Sequence, residues 1–297
     1  MDESILEIYR SAGRISAMAR NWAANVIEPG MLARELQMGI EKIITDSGAY
    51  PSFPAQTSRN NIAAHYCSST TDDTKYESGD LVKIDLGAHI NGYPVDTGIS
   101  VDLSPDQKWQ PMIDAASDAL DAAIGVLKDG IHVGKIGQAV ENSIHRSGFN
   151  PITNLAGHGL SRWTLHAPPQ IPNTAQQGGQ ILKKGMIFAI EPFVTDGRGY
   201  VRDHGRAEIF RLDRKPHPSN KISESVLKSL EKWHGLPIAM RYFPTLPKKP
   251  LARTFKELLR QGVMEQYPPL IEISGAQVGW KEHTIFMSPS GPEIITE

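Results

Sequence analysis

The feature that most restricts the fold of this chain is an internal repeat. Displaced by 100 residues, the sequence meets itself. Gly30 falls on Gly130, Leu36 on Ile136, Ile40 on Val140, Ile44 on Ile144, Ser47-Gly48 on Ser147-Gly148 and Pro51 on Pro151. A second stretch repeats at an offset of 106, where Gly79-x-Leu-Val-x-Ile84-Asp85 meets Gly185-x-Ile-Phe-x-Ile190-Glu191. Apolar residues at three- and four-residue steps predict helices over 4–27 and 31–47, and again over 133–147. Ser104-Pro105-Asp106 reads as the start of a helix running to about Lys128, with Ser104 as N-cap. Two similar units of separate origin would give the same pattern, but the length of the match favours a duplicated α+β domain. Its halves, about 1–103 and 104–297, would pair around a pseudo-twofold axis with the acids of both at the centre. The repeat is too long for a solenoid unit.

The sharpest local signal is Gly79 to Asp96. Leu81, Val82, Ile84 and Leu86 make an apolar strand with Asp85 inside it. An ionised carboxylate buried there would cost several kcal/mol unless paired or bound to a cation. Asn91-Gly92 predicts a two-residue hairpin turn, and the returning strand carries Asp96. Two acids on paired strands can face one small volume, and a cation between them would remove the cost.

Between about 203 and 266 the pattern changes. Charged, Pro-rich pieces, RKPHP and TLPKKP, surround helical patterns over 221–234 (Ile222, Val226, Leu230, Trp233) and 252–261 (Phe255, Leu258, Leu259). This reads as a helical insertion packed on the outside, its Lys-Pro segments being solvated surface. Strands return at 270–274 and 282–287, where Glu282 precedes His-Thr-Ile-Phe-Met.

Composition narrows the function. Of 297 residues, 40% are hydrophobic and 22% charged, which describes a soluble globular chain. A net charge of −2 gives no basic surplus for nucleic acid. The one cysteine, Cys67, rules out an intrachain disulfide framework and fits a reducing cytoplasm. The opening MDESILEIYR is unlike a signal peptide, and no apolar run reaches the ~18 residues of a membrane span. GxxxxGK[ST] and HExxH are both absent from the sequence.

Asp85, Asp96, His158, Glu191 and Glu282 form the first candidate set. Four carboxylates and one imidazole match the ligands of a pair of divalent metals such as Mn, Fe, Co or Zn. Singly, each acid could be an edge residue in water and the histidine a structural one. Their recurrence in a duplicated frame makes the case. His65 and His166 form the second set, because imidazoles beside such a site can polarise a carbonyl or steady a tetrahedral intermediate. The glycines around His158 would let a metal or substrate approach the backbone. Cys67 and His65, two apart on a strand, would share a face, but a nucleophile–base pair there lacks a third, orienting group.

These residues lie in NNIAAHY at 60–66, KIDLGAHINGYPVDT at 83–97, LAGHGLSRWTLHAPPQIPN at 155–173, GMIFAIEPFVTDGRG at 185–199, YPPLIEIS at 267–274 and EHTI at 282–285. In these segments the chain resembles the type II methionine aminopeptidases of the short archaeal kind, over nearly its whole length. The resemblance implies a pita-bread fold, with the 203–266 segment as the helical insertion that marks type II. It implies two divalent ions, one held by Asp85 and the other by His158 with Glu191, with Asp96 and Glu282 bridging. His65 and His166 would contact substrate, Glu191 would act as general base, and Phe53, Leu165 and Tyr267 would line the methionine pocket. The implied reaction is hydrolytic removal of the initiator methionine before a small second residue. The implied setting is a cytoplasmic monomer acting on nascent N-termini, at the ribosome or after release. Gly279-Trp280-Lys281 departs from the family's usual Ala-Gln-Phe, placing a tryptophan where a polar residue near the metals is expected. Cys67 stands where Thr or Ser is common. An Xaa-Pro peptidase on the same fold is the nearest alternative, although Ala167-Pro168-Pro169, not an acid, follows His166. A non-catalytic binding relative is a further one, although such relatives have lost ligands that are all present here.

Overall fold

The structure, a computed structural model, describes residues 1–214 and 221–297, with the side chains of 221–223 left out. Helix α1 (Glu3–Val26) starts where Asp2 accepts a hydrogen bond from the Ser4 amide at 2.8 Å. It buries Leu6, Tyr9, Ala12, Ala19 and Ala23 along one face. Helix α2 (Ala33–Asp46) buries Leu36, Ile40 and Ile44. Both pack on an antiparallel sheet of Gln56–Arg59, Leu81–Leu86 and Thr97–Asp102. Helix α3 (Gln110–Gly125) packs on α4 (Val133–Arg146) and on the strands Phe193–Thr195 and Val278–Trp280, and α4 packs in turn on a five-stranded antiparallel sheet. Its strand order is Thr164–Pro172, Ala156–Ser161, Ile187–Ile190, His283–Ser288 and Gly291–Ile294.

The two helix–sheet units repeat the same local devices. Gly30 (φ 94°) donates to Tyr76 O at 2.8 Å, and Gly130 (φ 83°) donates to Leu182 O at 2.9 Å. Leu32 bridges Lys75, and His132 bridges Ile181. A left-handed glycine closes α2 at Gly48 and α4 at Gly148, as the αL helix terminus requires. Each is followed by a two-residue strand, Tyr50–Pro51 or Asn150–Pro151.

Three local readings change. Helix α3 begins at Gln110 rather than Ser104. The Asp102 carboxylate accepts from the amides of Ser104 (2.7 Å) and Trp109 (2.6 Å), and Ser104 Oγ accepts from Lys108 N (2.8 Å). The capping signal is therefore spent on a turn ahead of the helix. The Asn91-Gly92 turn does join a hairpin, but of two short strands, Ala88–Ile90 and Tyr93–Pro94. Asp96 lies past that hairpin, one residue before the strand that pairs with Leu81–Leu86. In the insertion, α5 (Lys221–Glu231) stops before Trp233, which stacks on Tyr242 with ring centroids 4.8 Å apart. Helix α6 (Lys248–Arg260) starts four residues ahead of the expected 252, because Pro250 falls in its first turn, where no backbone donor is needed.

Within this region Ile209–Leu212 pairs with Ile238–Ala239 and Met264–Tyr267, and Phe210, Val226, Leu230, Phe255 and Leu258 share a separate apolar core. Of the RKPHP run, only Arg214 lies inside the described residues, where it is exposed; the Ile222 side chain lies outside them. Among the described residues, no helix is long and apolar enough to cross a membrane.

Candidate metal centre

The two sheets meet at one place. Gly98 and Glu282 form an antiparallel bridge, with N–H···O distances of 3.3 and 3.1 Å. Around it, side chains lace the backbones together. Thr284 Oγ1 accepts from Asp96 N and donates to Asp96 O, both at 2.8 Å. Thr97 Oγ1 donates to Glu282 O at 3.1 Å. The buried Arg20 of α1 donates to Thr97 Oγ1 (2.6 Å) and Thr296 O (2.7 Å). Asp96 and Glu282, far apart in sequence, are thus fixed side by side. Pairing of Ile190 with His283 sets Glu191 next to Glu282, and Asp85 sits between Gln56 and Gly98 in its own ladder.

His158, in the strand Ala156–Ser161, completes the group. Its Nε2 lies 3.4 Å from Asp96 Oδ2 and 3.8 Å from Glu191 Oε1. Asp96, His158 and Glu282 offer ligand atoms within 4.8 Å of one another, and all three are buried. Asp85 Oδ1, Asp96 Oδ1 and Glu282 Oε1 are buried with no hydrogen-bond partner. Burial, then the charges of Asp96 and Glu191, push the Asp85 and Glu282 carboxyls well above the usual range. Burial also lifts Glu191 to about 8, with His158 pulling down and Asp96 adding to the rise. Burial opposes the His158 imidazolium, but the hydrogen bond to Asp96 and the charges of Glu191 and Asp96 outweigh it and raise that pKa. Orphaned acceptors crowded beyond their own electrostatic tolerance suit divalent cations, with oxygen donors and one nitrogen.

The glycines flanking His158 have a different reason from the one their sequence suggests. A Cβ at Gly157 would lie 2.3 Å from Ala189 O, and one at Gly159 2.3 Å from Pro168 O. They admit neighbouring strands rather than a ligand.

The group forms one end of a cavity of about 650 Å³. His65, His166, Phe53, Leu165 and Tyr267 line the same cavity. The His158 and His166 rings meet edge-on at 4.5 Å, and Tyr267 lies 5.7 Å from His65 and 6.3 Å from His166. Burial lowers His65 to about 4, and its Nδ1 has no partner. His166 projects into the cavity from the strand Thr164–Pro172 with part of its side chain exposed, and the protein packed around it, followed by the charges of His158, His65 and Arg211, depresses its pKa. Both shifts favour the neutral imidazole.

Two sequence readings fail here. His65 and Cys67 do not share a strand face: Ile62–Ala64 ends before them, and His65 takes a φ of 68°. Burial raises the Cys67 thiol to about 11 despite the adjacent Arg241, which leaves it unsuited as a nucleophile. Trp280 lies behind the cavity wall, stacked on Phe193 at 5.7 Å and packed against Gly98, while Lys281 Nζ donates to Ser117 Oγ at 2.8 Å. His283 is held by Thr296 Oγ1 at 3.0 Å. Gln56 is a cavity residue that the sequence did not reveal. Its Oε1 accepts from the His65 amide at 2.6 Å, and its inward direction follows only from its register with Asp85.

Known proteins resemble this chain in sequence and in fold. The family model described as metallopeptidase family M24 matches residues 7–211. A methionine aminopeptidase of Archaeoglobus fulgidus is 40% identical over 100% of both chains, and one of Methanothermobacter thermautotrophicus is 39% identical over 99% of each. A solved methionine aminopeptidase of Thermotoga maritima, 23% identical, superposes with a TM-score of 0.74 over 100% of this chain and 98% of its own. A thermophilic Arx1, 17% identical, reaches 0.85 over 99% and 91%, and the Pyrococcus furiosus prolidase 0.66 over 100% and 64%. These structural neighbours share the pita-bread fold. With the family model spanning both the Asp85–Asp96 and His158–Glu191 segments, and relatives matching from end to end, the chain belongs to metallopeptidase family M24, alongside the archaeal methionine aminopeptidases.

Proposed function

We propose that this enzyme hydrolyses the first peptide bond of peptides and newly made proteins that begin with methionine. The observation that carries the reading is a set of buried, partnerless carboxylate oxygens beside His158, in a cavity that His65, His166, Phe53 and Leu165 also line. Asp85, Asp96, His158, Glu191 and Glu282 would hold two divalent ions drawn from Mn, Fe, Co and Zn. Such ions supply a water of lowered pKa and an electrophile for the scissile carbonyl.

The chain's own residues supply the rest. Glu191, next to Glu282 and in the cavity lining, is placed to take a proton from that water. His65 and His166, uncharged near neutrality, can each donate one N–H to the carbonyl or the developing oxyanion without repelling the cations. Phe53 and Leu165 give the cavity an apolar wall against which an unbranched thioether could lie, with Tyr267 packed against both histidines. We read the chain as one catalytic domain with halves 1–103 and 104–297 and the 203–266 insertion. It would act as a cytoplasmic monomer on nascent N-termini, at the ribosome or after release.

Methionine release from Met-Ala-Ser, titrated with each metal, tests the reaction. Activity should rise to a plateau with added ion and be lost in Asp85→Ala. Cleavage of Ala-Pro in preference to Met-Ala-Ser would replace this reading with an Xaa-Pro peptidase.

A further inference from the structure

The loop that presents His65 leaves its strand at Ala64 and keeps one backbone bond to the neighbouring strand, from Thr57 N to Tyr66 O at 3.0 Å. His65 lies beyond Ile62–Ala64 at a φ of 68°, a conformation that non-glycine residues adopt only where their surroundings enforce it. Side chains do much of the enforcing. Gln56 Oε1 accepts from His65 N, and Ser58 Oγ accepts from Tyr66 N at 3.2 Å. Gln37 Nε2 donates to Tyr66 O at 3.3 Å, and Gln37 Oε1 accepts from Ser68 N at 2.8 Å.

The remaining grip comes from the insertion. Its 3-10 turn Met240–Tyr242 directs the Arg241 guanidinium inward, where it donates to Ser68 O at 3.0 Å and to Cys67 Sγ. The same guanidinium pairs with the Glu41 carboxylate of α2, which also accepts from Ala55 N (3.0 Å) and from the Tyr242 hydroxyl (2.8 Å). The side chains of Arg241 and Glu41 are 5% and 12% exposed, so this ion pair is desolvated and geometrically strict. Cys67 packs on Ile209 and Ala239, and Tyr267 covers the His65 ring.

We propose that Arg241 is a positioning residue for His65, and that through it the insertion sets the imidazole against the substrate carbonyl. This rests on the reading of His65 as a substrate-contacting histidine. Arg241 lies outside the ligand set and outside the cavity lining, so its removal leaves the metal-binding side chains in place.

The experiment compares kcat and KM on Met-Ala-Ser for Arg241→Gln, Arg241→Lys, His65→Asn and the double variant Arg241→Gln/His65→Asn, with metal affinity read by calorimetry. A displaced imidazole should cost kcat about tenfold or more in Arg241→Gln, since misplacement on the ångström scale carries up to roughly 10². KM and metal affinity should stay within about twofold, since losing a group that orients a metal ligand would cost about 10–100-fold in affinity. Arg241→Lys should recover part of the loss, and the double variant should be no slower than His65→Asn. Losses that multiply in the double variant, or an unchanged kcat in Arg241→Gln, overturn the proposal. If Arg241→Gln does not fold, Arg241→Lys in the His65→Asn background decides by the same non-additivity. Full activity in His65→Asn would instead remove the reading of His65 itself.

Discussion

The carboxylate end of the cavity and its imidazole wall are built in opposite ways. Asp85 lies within a strand, while Asp96, Glu191 and Glu282 each adjoin one, so their directions follow from backbone ladders and from the Gly98–Glu282 bridge. His65 lies on a loop hung mainly from side chains, with one backbone bond from Thr57 N to Tyr66 O, and His166 on a strand whose register shifts between Thr164 and Gln170. Ladders fix direction through many backbone bonds shared along a strand. A side-chain scaffold fixes it through a few bonds, each of which one substitution can remove. The first end therefore suits charges that must not move, and the second suits groups that can be tuned.

Substitutions should separate the two regions. The largest effect is expected at the acidic end. Glu282→Ala should lower methionine release by about a thousandfold or more and reduce bound metal, because several kcal/mol of electrophilic stabilisation go with the ions. Retained metal content with retained activity would break the comparison. His166→Ala should lower kcat by about 10² while bound metal, measured by elemental analysis, stays as in the parent.

Next comes the lacing between the halves. Thr284→Val keeps the shape but removes the hydroxyl that bonds Asp96 N and O. It should cost about 1–3 kcal/mol of stability, read as a Tm several degrees lower. The smallest effect is a pH dependence of the metal-free protein. Glu191 titrates near 8 when folded, above its ordinary 4.5, so the native state binds more protons than the unfolded chain in that window. Stability is then present below the unfolded pKa and is lost as pH rises toward 8. Between pH 7 and 8 the unfolded histidines are already neutral, so the depressed His65 adds no opposing slope there. Glu191 alone should lower the stability of the metal-free protein by about 1 kcal/mol across that interval, by denaturant melts, and the slope should become shallower in Glu191→Gln, the raised Asp85, Glu282 and His158 accounting for what remains.

This contrast also explains what could be read from the sequence. The acids were legible because each sits within or next to an apolar strand, Asp85 and Glu191 at a repeated offset, and the period of a strand states which way a side chain points. The paired helices were legible because Leu36, Ile40 and Ile44, with their counterparts Ile136, Val140 and Ile144, mark one face at helical spacing. The start of α3 was misread because Asp102 captures the amides that Ser104-Pro105 would otherwise have organised into a helix. The roles of Gln56 and Arg241 were hidden for a deeper reason. Their partners, His65, Glu41 and Ser68, are set by tertiary placement, and no local spacing encodes a guanidinium reaching from residue 241 to residue 68.

Asp96 and Thr284 stand 188 positions apart, yet each anchors the other. During synthesis the first arrives long before the second. A ribosome that has made three-quarters of this protein has produced Asp85 with the ladder that holds it, and Asp96, but not the threonine that pins Asp96. The enzyme cannot begin work on other newborn chains until its own final strands have emerged and docked.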